Sequence, residues 1–438
     1  MMVYKFGGSS VGKPERMKQV LNIVNTGQGK VVVLSALSGT TDQLTTLNDL
    51  LKKSSTTQFS ERLQIMKDRY SEFINDLYTK PDNKQKAEDV INERFDVIES
   101  FSQDVYTRHE EKLMLAQGEL MSTALFQILC EENNVKSKLL PALDFMRINN
   151  EKEPDYYFIK INLERLLQNS DDETLYITQG YICRNAFGEV DNLQRGGSDY
   201  TASLIGAAIN SPEIQIWTDI DGMHNNDPRV VDNTNPIKEL SFNEAAELAY
   251  FGAKILHPSS VRPAQDKDIP VRLKSTLQPE LEGTVISKKS NKDSIKAVAA
   301  KDGITAVKIK SGRMLMAYGF LRSVFEVFEW YKTPIDLITT SEVAVSVTID
   351  HDERLEDIQR DLAQYGIVEI DRNQTIVCVV GDFLAERSGF GAKIFNALKD
   401  IPLRMVSYGG SRNNISFLID TNDKKPALQA LNTLFKQS

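Results

Sequence analysis

The spacing of hydrophobic and polar positions changes character near residue 290. Before that point, short apolar runs such as Val31–Leu34 and Ile214–Trp217 alternate with stretches of helical periodicity, among them Pro14–Val24 and Leu113–Glu131. Apolar strands separated by helices are typical of a largely parallel sheet that helices cover on its faces. We therefore predict one large α/β domain over residues 1–290.

Residues 52–112 interrupt this alternation with a long charged stretch that keeps helical periodicity and has few helix-breaking residues. Such a stretch predicts helices that extend from the sheet. The polar segment SKKSNKDS, residues 287–294, predicts a linker.

One pattern occurs twice after this linker. The segments ITAVKIKS, GFLRSVFEVFEWYK, PIDLITTS, VAVSVTID and RLEDIQRDLAQYG follow the order β-α-β-β-α, and QTIVCVVGD, GFGAKIFNALKD, LRMVSYGGS, NISFLID and KPALQALNTLF repeat it. The repeat predicts a duplicated ferredoxin-like βαββαβ unit, which suits pairing and small-ligand capture. We assign residues 295–370 to the first unit and 371–438 to the second, which a strand from about 295–301 would complete. An α+β domain without a defined role is the alternative.

Composition narrows the class of protein. The chain has 438 residues, of which 41% are hydrophobic and 26% charged, as in an ordinary soluble globular protein. It has no run of about 18 apolar residues and does not begin with the apolar stretch of a signal peptide, so we expect a cytoplasmic protein. Cys130, Cys183 and Cys378 lie far apart, which favours buried, reduced thiols. A net charge of -9 disfavours nucleic acid and membranes as partners.

The first candidate chemistry lies in VYKFGGSSVGKPE, which starts at residue 3. Its G-x-x-x-x-G-K spacing matches a common phosphate loop, but Pro14 stands where that loop needs serine or threonine for magnesium. A strand, a glycine turn and a helix that opens at Pro14 can still bring backbone N–H groups to a phosphate. Lys5, two residues before the Gly-Gly pair, could reach a transferred phosphoryl group. A tight structural turn is the alternative.

A second glycine pair occurs in QRGGSDYTASLIGAA. Gly196 and Gly197 would let the backbone approach an anion. Ser198 or Asp199 could cap the helix that follows. Arg195 offers a fixed fork for a carboxylate or a phosphate, although a solvated surface arginine fits the same sequence.

A buried strand and a long polar loop follow in IQIWTDIDGMHNNDPRV. Loops at the carboxyl ends of such strands bind ligands, so Thr218, Asp219 and Arg229 are candidate nucleotide contacts. His224 in this loop is interpreted as structural or solvated. Lys254 comes just after the helix predicted within SFNEAAELAYFGAKILHP, where it could serve helix carbonyls or a phosphate.

A single carboxylate interrupts another helical stretch. Glu119 lies within AQGELMSTALF, which is otherwise apolar. A carboxylate there either faces solvent or is held for a cationic ligand group, and the residues alone leave both interpretations open.

Seven motifs occur in a fixed order along the chain: K-F-G-G from Lys5, G-E-L-M-S from Gly118, Q-R-G-G-S-D from Gln194, W-T-D-x-x-G from Trp217, D-P-R from Asp227, F-G-A-K-x-L-H-P from Phe251 and L-I-T-T-S-E from Leu337. In this order and at these spacings, the chain resembles the aspartate kinases of the amino-acid kinase family. The resemblance covers essentially the whole chain and is greatest to the monofunctional, lysine-sensitive branch. The repeated units resemble the paired ACT domains that follow the kinase domain in that family.

The resemblance implies a specific reaction. ATP would phosphorylate the side-chain carboxylate of L-aspartate to give 4-phospho-L-aspartate and ADP, the first step of lysine, threonine and methionine biosynthesis, with Mg²⁺ bridging the phosphates. A carboxylate is already ionised at pH 7, so the reaction requires no general base, only alignment and charge neutralisation. This agrees with candidate site motifs that contain no catalytic histidine.

The resemblance also implies residue roles. Lys5 would stabilise the transferring phosphoryl group, and Asp199 would orient the substrate or the lysine. Arg195 would pair with the α-carboxylate of aspartate and Glu119 with its ammonium group. The implied substrate-binding residues are Thr41, Glu119, Arg195, Gly196, Gly197 and Ser198. The implied nucleotide-binding residues are Lys5, Phe6, Gly7, Gly8, Ser9, Thr218, Asp219, His224, Arg229, Lys254 and Ile255, and no residue is assigned to a metal.

Regulation by an amino acid is implied in the same way. The expected effector is lysine, in a homodimer formed through the ACT domains, with a tetramer as the alternative. The implied effector residues are Met314, Phe320, Leu321, Asp336, Ser341 and Glu342. Two positions depart from the family pattern: His224 replaces a tyrosine that is common there, and Arg313 replaces an asparagine.

Two other classes of protein remain as alternatives. A kinase for glutamate or acetylglutamate would share the glycine loops, but the G-E-L-M-S helix together with two ACT units would not be expected there. A non-catalytic effector-binding protein would be expected to lose Lys5 or the R-G-G-S-D motif, and this chain has both.

Overall fold

The apolar runs near the start of the chain form the centre of a parallel sheet. In a computed structural model, β1 (Met2–Phe6) lies between β2 (Lys30–Leu34) and β7 (Ile214–Thr218) and is parallel to both. All residues of β2 are buried, as an uninterrupted apolar run predicts. The structure describes residues 1–103, 105–168, 171, 173–193, 196–252, 256–288, 294–312, 314, 318–382 and 388–435.

The chain folds into two compact units. The first contains Met1–Met223, Lys238–Phe242 and Ile255–Lys289, and the second contains His224–Ile237, Asn243–Lys254 and Ser290–Ser438. Each unit has its own sheet and its own hydrophobic core. All of Ser290–Ser438 belongs to the second unit, and two earlier segments join it.

The sheet of the first unit has the strand order β3-β4-β2-β1-β7-β9-β10-β8. Its other strands are β3 (Ser137–Leu139), β4 (Leu175–Gln179), β8 (Glu239–Ser241), β9 (Val271–Ser275) and β10 (Thr284–Ser287), and β5 (Ile182–Arg184) pairs separately with β6 (Val190–Asn192). Neighbouring strands in the described sheet are parallel except β9 and β10. Later strands flank β1 on both sides, and the carboxyl ends of strands at such a reversal form the ligand-binding edge of an open sheet.

Helices cover this sheet. Those of the first unit are α1 (Gly8–Val11), α2 (Pro14–Val24), α3 (Thr40–Lys52), α4 (Thr56–Leu77), α5 (Pro81–Ser100), α6 (Arg108–Glu132), α7 (Ala142–Phe145), α8 (Tyr156–Leu167), α9 (Gly197–Ile209) and α11 (Arg262–Asp266), with a 3-10 turn at Pro258–Val261. Helix α10 (Phe242–Tyr250) also comes before residue 290, but from Asn243 onward it belongs to the second unit. The limits of α2 are those predicted, and Pro14 lies in its first turn. Helix α6 begins before the predicted Leu113, because Thr107 and Glu110 form a capping box.

The charged stretch of residues 52–112 is helical, as predicted. It forms α4, α5 and the start of α6. The apolar faces of α4 and α5 join the core on one side of the sheet through residues such as Phe59, Tyr70 and Phe95. Helix α6 is long and apolar enough to cross a membrane, but 72% of its most apolar stretch is buried inside the protein. A core helix of a globular protein has these properties as well.

The second unit has an antiparallel sheet in the order β12-β13-β11-β14-β16-β15. Its strands are β11 (Ile295–Lys310), β12 (Ile338–Thr340), β13 (Ala344–Ile349), β14 (Ile367–Gly381), β15 (Met405–Tyr408) and β16 (Asn414–Asp420). Its helices are α12 (Phe320–Trp330), α13 (Leu355–Leu362), α14 (Phe390–Ala397) and α15 (Lys424–Asn432), with 3-10 turns at Thr421–Asp423 and Thr433–Phe435. The predicted β-α-β-β-α repeat is confirmed. We call the half with α12 and α13 the first module and the half with α14 and α15 the second module.

The two modules share one continuous sheet, which the repeat did not predict. Strand β11 has 16 residues and β14 has 15, and the two strands pair along most of their length. Residues 295–301 pair with 376–381 in the second module, whereas residues 305–310 also pair with β13 in the first. The limits of the domains themselves remain a prediction.

Two segments from before residue 290 pack within the second unit. Asn226 donates a hydrogen bond from Nδ2 to the carbonyl of Leu428 at 2.9 Å, and the N–H of Val298 donates to the carbonyl of Asn225 at 2.9 Å. Val231 joins the core of the second module. No change of composition marks these segments, so the sequence pattern assigned them to the α/β domain.

Candidate active site

An ion pair lies at the carboxyl end of the central strand. Lys5, the fourth residue of β1, places Nζ 2.6 Å from Oδ1 of Asp199 in the first turn of α9. The two side chains are only 12% and 15% exposed, so solvent weakens their attraction little. The two residues predicted to be catalytic are therefore in direct contact.

The second glycine pair brings α9 to this edge of the sheet. Gly196 precedes the helix with φ 77°, and a Cβ atom on it would lie 2.5 Å from Cβ of Ser260. Both the left-handed conformation and the close approach require glycine. The predicted capping role of Ser198 and Asp199 is wrong, because Gly196 is the cap residue and α9 has no side-chain cap. Ser198 instead accepts a hydrogen bond from the hydroxyl of Ser35 at 2.9 Å.

The first glycine turn differs from its prediction in one respect. Gly7 is the cap of α1, a four-residue helix that precedes α2, so Pro14 begins the second helix rather than the first. A Cβ atom on Gly8 would lie 2.9 Å from the carbonyl oxygen of Ala36, which requires glycine there. Helix geometry leaves the first N–H groups of α1 without intrahelical acceptors. Lys13 is exposed at the start of α2.

Glu119 is held inside the protein rather than in solvent. It is 4% exposed, and its Oε1 accepts a hydrogen bond from the N–H of Ala36 at 3.2 Å. Burial raises the pKa of Glu119 from 4.5 to about 8, and the Ala36 N–H offsets only part of that effect. Gly118 allows the approach, since a Cβ atom on it would lie 2.8 Å from Cβ of Ala36. Of the two interpretations of this carboxylate, the structure excludes the solvated one.

These contacts form one chain of neighbours along the edge of the sheet. Asp199 adjoins Ser198 in α9, Ser198 contacts Ser35 after β2, and the next residue, Ala36, contacts Glu119 in α6. Lys5, Asp199, Ser198 and Glu119 are thus brought together, with Gly7 and Gly8 directly after Lys5. The two residues after β2 were not predicted, although their position at the end of an apolar strand is the signal that could have identified them.

Other predicted residues lie nearby or have a different role. Thr41 is exposed in the first turn of α3. Thr218 ends β7, where its hydroxyl donates to Oδ1 of Asp219 at 3.1 Å. Phe6 is fully buried and stacks on Trp217 with ring centroids 5.7 Å apart. The side chain of Phe6 therefore belongs to the core, and the predicted nucleotide contact could involve only its main chain.

One further residue near the second glycine pair was not predicted. Tyr181 follows β4 with φ 66°, a conformation that is uncommon for residues other than glycine. Its N–H donates to the hydroxyl of Thr201 at 2.9 Å, and its ring lies 3.4 Å from where a Cβ atom on Gly197 would be. Burial, and secondarily the charge of Glu119, raises the pKa of Tyr181 to about 12. The Tyr181 side chain is therefore uncharged at neutral pH and packs beside Gly197 of α9.

The remaining nucleotide candidates belong to the second unit or lie outside the described residues. Arg229 is exposed and forms an ion pair with Asp227 at 2.8 Å. A ring nitrogen of His224 lies 2.8 Å from the hydroxyl of Thr234, which supports a structural role for this histidine. Residues of the predicted set that lie outside the described residues are Arg195, Lys254 and Ile255.

The predicted effector residues lie in the first module. The side chain of Asp336 is buried there, and its Oδ1 is 2.9 Å from Nζ of Lys301. Met314 and Phe320 pack against the core of that module, whereas Leu321 and Glu342 are exposed. The remaining predicted residue of this set is Ser341, whose N–H donates to the carbonyl of Ala344 at 2.8 Å, and Arg313 lies outside the described residues.

The three cysteines are buried and free, as predicted. Burial raises the pKa of the Cys130 and Cys183 thiols to about 12, so these thiols are protonated and unreactive at neutral pH. Within the part of the chain that the structure describes, no group of three or more His, Cys, Asp or Glu side chains is arranged to hold a metal ion.

Comparisons with known proteins agree with this architecture. Residues 1–275 match the model of the amino acid kinase family, and residues 377–435 match an ACT domain. The chain is 32% identical over 446 residues to lysine-sensitive aspartokinase 3 of Escherichia coli, with 99% of this chain and 98% of that protein covered. It is also similar to two structures of E. coli aspartokinase III, and each comparison covers 99% of this chain and 99% of the other chain. One is in complex with lysine and aspartate (TM-score 0.83, 32% identity) and the other with aspartate and ADP (TM-score 0.81, 31% identity).

A parallel sheet with a lysine before a glycine turn, followed by two ferredoxin-like modules, defines a small-molecule kinase with a regulatory region. The chain belongs to the amino acid kinase family, within its aspartokinase branch. The resemblance and the fold class predicted from the sequence are thereby confirmed.

The buried carboxylate of Glu119 leads to a prediction about stability. Between about pH 4.5 and 8 the folded protein retains a proton on Glu119 that the unfolded chain releases, so this group lowers stability as pH rises. We expect Glu119→Gln to raise the melting temperature of the ligand-free protein by roughly 2 °C or more at pH 8, with a much smaller effect at pH 5. Thermal unfolding at the two pH values measures the difference.

Glu131→Gln, which alters an exposed carboxylate on the same helix, is the control and should show little dependence on pH. Equal effects of Glu119→Gln at both pH values would contradict the raised pKa.

Proposed function

We propose that this protein transfers the γ-phosphoryl group of ATP to the side-chain carboxylate of L-aspartate, giving 4-phospho-L-aspartate and ADP. The observation that carries the proposal is the ion pair of Lys5 and Asp199 at the end of β1, next to Ser198 and in the same run of contacts as the buried Glu119. These contacts support a site in which Lys5 would meet a phosphoryl group and Glu119 an ammonium group.

Aspartate is proposed to bind by its three charged groups. Glu119 would receive the ammonium group, whose positive charge also favours the ionised form of this carboxylate. Arg195 would pair with the α-carboxylate, because a guanidinium matches a carboxylate with two parallel hydrogen bonds. The other proposed substrate contacts are Thr41, Gly196, Gly197 and Ser198.

The phosphates of ATP are proposed to lie at the first glycine turn. Lys5 would stabilise the charge that develops on the transferred group, with main-chain donors from Gly7, Gly8 and Ser9 around it. Asp199 holds the Lys5 ammonium in place until the phosphate arrives. A carboxylate oxygen of aspartate then forms a bond to the γ-phosphorus as the bond from that phosphorus to the bridging oxygen breaks. ADP leaves with the bridging oxygen, and no proton has to be transferred.

Magnesium is proposed to enter with the nucleotide. The donor set at the proposed nucleotide edge of the first unit includes one exposed carboxylate, Asp219, rather than a cage of ligands. This set fits Mg²⁺, which keeps several waters and binds through phosphates and one or two carboxylates. When bound, it would neutralise phosphate charge. The proposed contacts for the rest of ATP are Phe6, Thr218, Asp219, His224, Arg229, Lys254 and Ile255.

Regulation and assembly complete the proposal. Lysine is proposed as the effector, at the first module, in a homodimer formed through the ACT modules, with a tetramer as the alternative. We propose a cytoplasmic location and domain limits of 1–290, 295–370 and 371–438. A kinase for glutamate or acetylglutamate is the second candidate. It is disfavoured by relatives over the full length that are aspartokinases.

The role of Lys5 can be tested by substitution. Lys5→Ala removes a preorganised cation that acts on the transferred group, so we expect kcat to fall by about 100-fold or more, as for other preorganised donors. Steady-state kinetics with circular dichroism to check folding measures this. Lys13→Ala is the matched control, because Lys13 is an exposed lysine of the same glycine segment. Turnover near that of the wild type in folded Lys5→Ala would exclude this role.

The acceptor and the effector can be tested together. A coupled ADP-release assay with aspartate, glutamate or acetylglutamate should give ADP only with aspartate, because the full-length relatives are aspartokinases. Addition of lysine, threonine or methionine should reveal inhibition by lysine. Absence of ADP release with aspartate would overturn the proposed function, and activity unchanged by millimolar lysine would remove the proposed effector.

A further inference from the structure

Helix α10 is fixed to both regulatory modules by two side chains that are three residues apart. Glu247 accepts a hydrogen bond from Oγ of Ser411 at 2.8 Å and another from Nδ2 of Asn414 at 2.5 Å, both in the second module. Tyr250 donates its hydroxyl to Oδ1 of Asp336 in the first module at 2.7 Å. Residues at this spacing lie on one face of a helix, so this face docks on the two modules at once.

The Asp336 carboxylate, which accepts the hydrogen bond from Tyr250, is buried beside a cation. Asp336 is 1% exposed, and Nζ of Lys301 lies 2.9 Å from the same oxygen, Oδ1. Lys301 also lies 2.7 Å from Asp350 and 4.7 Å from the ring centre of Tyr250. The second oxygen of Asp336, Oδ2, is buried without a hydrogen-bond partner among the described residues. A buried oxygen without a partner is unfavourable, so Oδ2 marks a position for a donor from a ligand.

The charges of this cluster indicate which donor fits. Asp336 and Asp350 carry two negative charges and Lys301 carries one positive charge, with the exposed His351 3.7 Å from Asp350. One negative charge is left among Asp336, Asp350 and Lys301. The ammonium group of an amino acid supplies both a positive charge and three N–H donors, whereas a neutral donor supplies no charge.

We propose that Tyr250 and Lys301 hold the Asp336 carboxylate in the orientation that receives the effector's ammonium group on Oδ2, and that Tyr250 thereby couples effector binding to the docking of α10. This inference rests on the lysine regulation proposed above. The contact between Tyr250 and Asp336 exists only while α10 is docked, so effector binding and docking favour each other by the same free energy.

The position of α10 in the sequence gives this coupling a route to catalysis. The helix lies between Arg229 and Lys254, two residues that we propose to hold ATP. When α10 is docked, the described residues next to the helix are restricted, and these are close in sequence to Arg229 and Lys254. An effector that favours docking therefore acts on both nucleotide-binding segments without contacting either.

The test removes one hydroxyl group from the full-length protein. Tyr250→Phe keeps the ring but loses the hydrogen bond to a charged acceptor. We expect the lysine concentration for half-inhibition, taken relative to the variant's own uninhibited rate, to rise by about 10-fold or more. Lysine binding measured by calorimetry should weaken in parallel. In the wild type, lysine should also slow amide hydrogen exchange in α10, and this slowing should be lost in Tyr250→Phe.

Tyr331→Phe is the matched control. Tyr331 also donates to an aspartate, Asp361 at 2.6 Å, and has a cation over its ring, Arg354 at 5.1 Å, but it is not part of the Asp336 cluster. Its response to lysine should equal that of the wild type. The coupling through Tyr250 would be overturned if lysine inhibits Tyr250→Phe and the wild type equally and slows exchange in α10 equally in both. That result would leave the proposed lysine regulation intact. A wild type that neither binds nor responds to lysine would overturn the proposed regulation together with this inference.

Discussion

The ion pair between Lys5 and Asp199 is the interaction on which the rest of the catalytic unit depends. A largely buried ion pair adds little net stability, because removing both charges from water costs nearly as much as their attraction returns. The ion pair instead fixes the position of an ammonium group at the end of β1. Gly7 and Gly8, which follow directly, let the main chain lie close to Lys5 and to Ala36. A reaction whose nucleophile is already ionised requires such a fixed cation more than it requires a base.

The carboxylate of Glu119 is linked to this ion pair by the contacts of Ala36, Ser35 and Ser198. In the ligand-free protein its burial favours the protonated form up to about pH 8, and a substrate ammonium group would shift it to the ionised form. A second buried carboxylate, Asp336 in the regulatory unit, is already paired with a cation but keeps one oxygen without a partner. In our proposal, both carboxylates recognise the ammonium group of an amino acid, one on the substrate and one on the effector.

Local periodicity predicted much of the fold and some of the site. The limits of α2, the helical nature of residues 52–112 and the duplicated module followed from spacing alone, because each depends on neighbours in sequence. The short helix α1, the cap at Gly196 and the Ser35 and Ala36 contacts were not predicted, because they depend on main-chain conformation and long-range packing. The packing of α10 with the modules was missed for the same reason.

The central claim is that aspartate receives a phosphoryl group on a carboxylate oxygen. Trapping with hydroxylamine tests this most directly, because an acyl phosphate gives a hydroxamate whereas a phosphate ester or phosphoramide does not. With ATP, Mg²⁺ and L-aspartate, we predict aspartyl hydroxamate in an amount equal to the ADP released. ADP release without hydroxamate, or hydroxamate formed equally well with glutamate, would contradict the account.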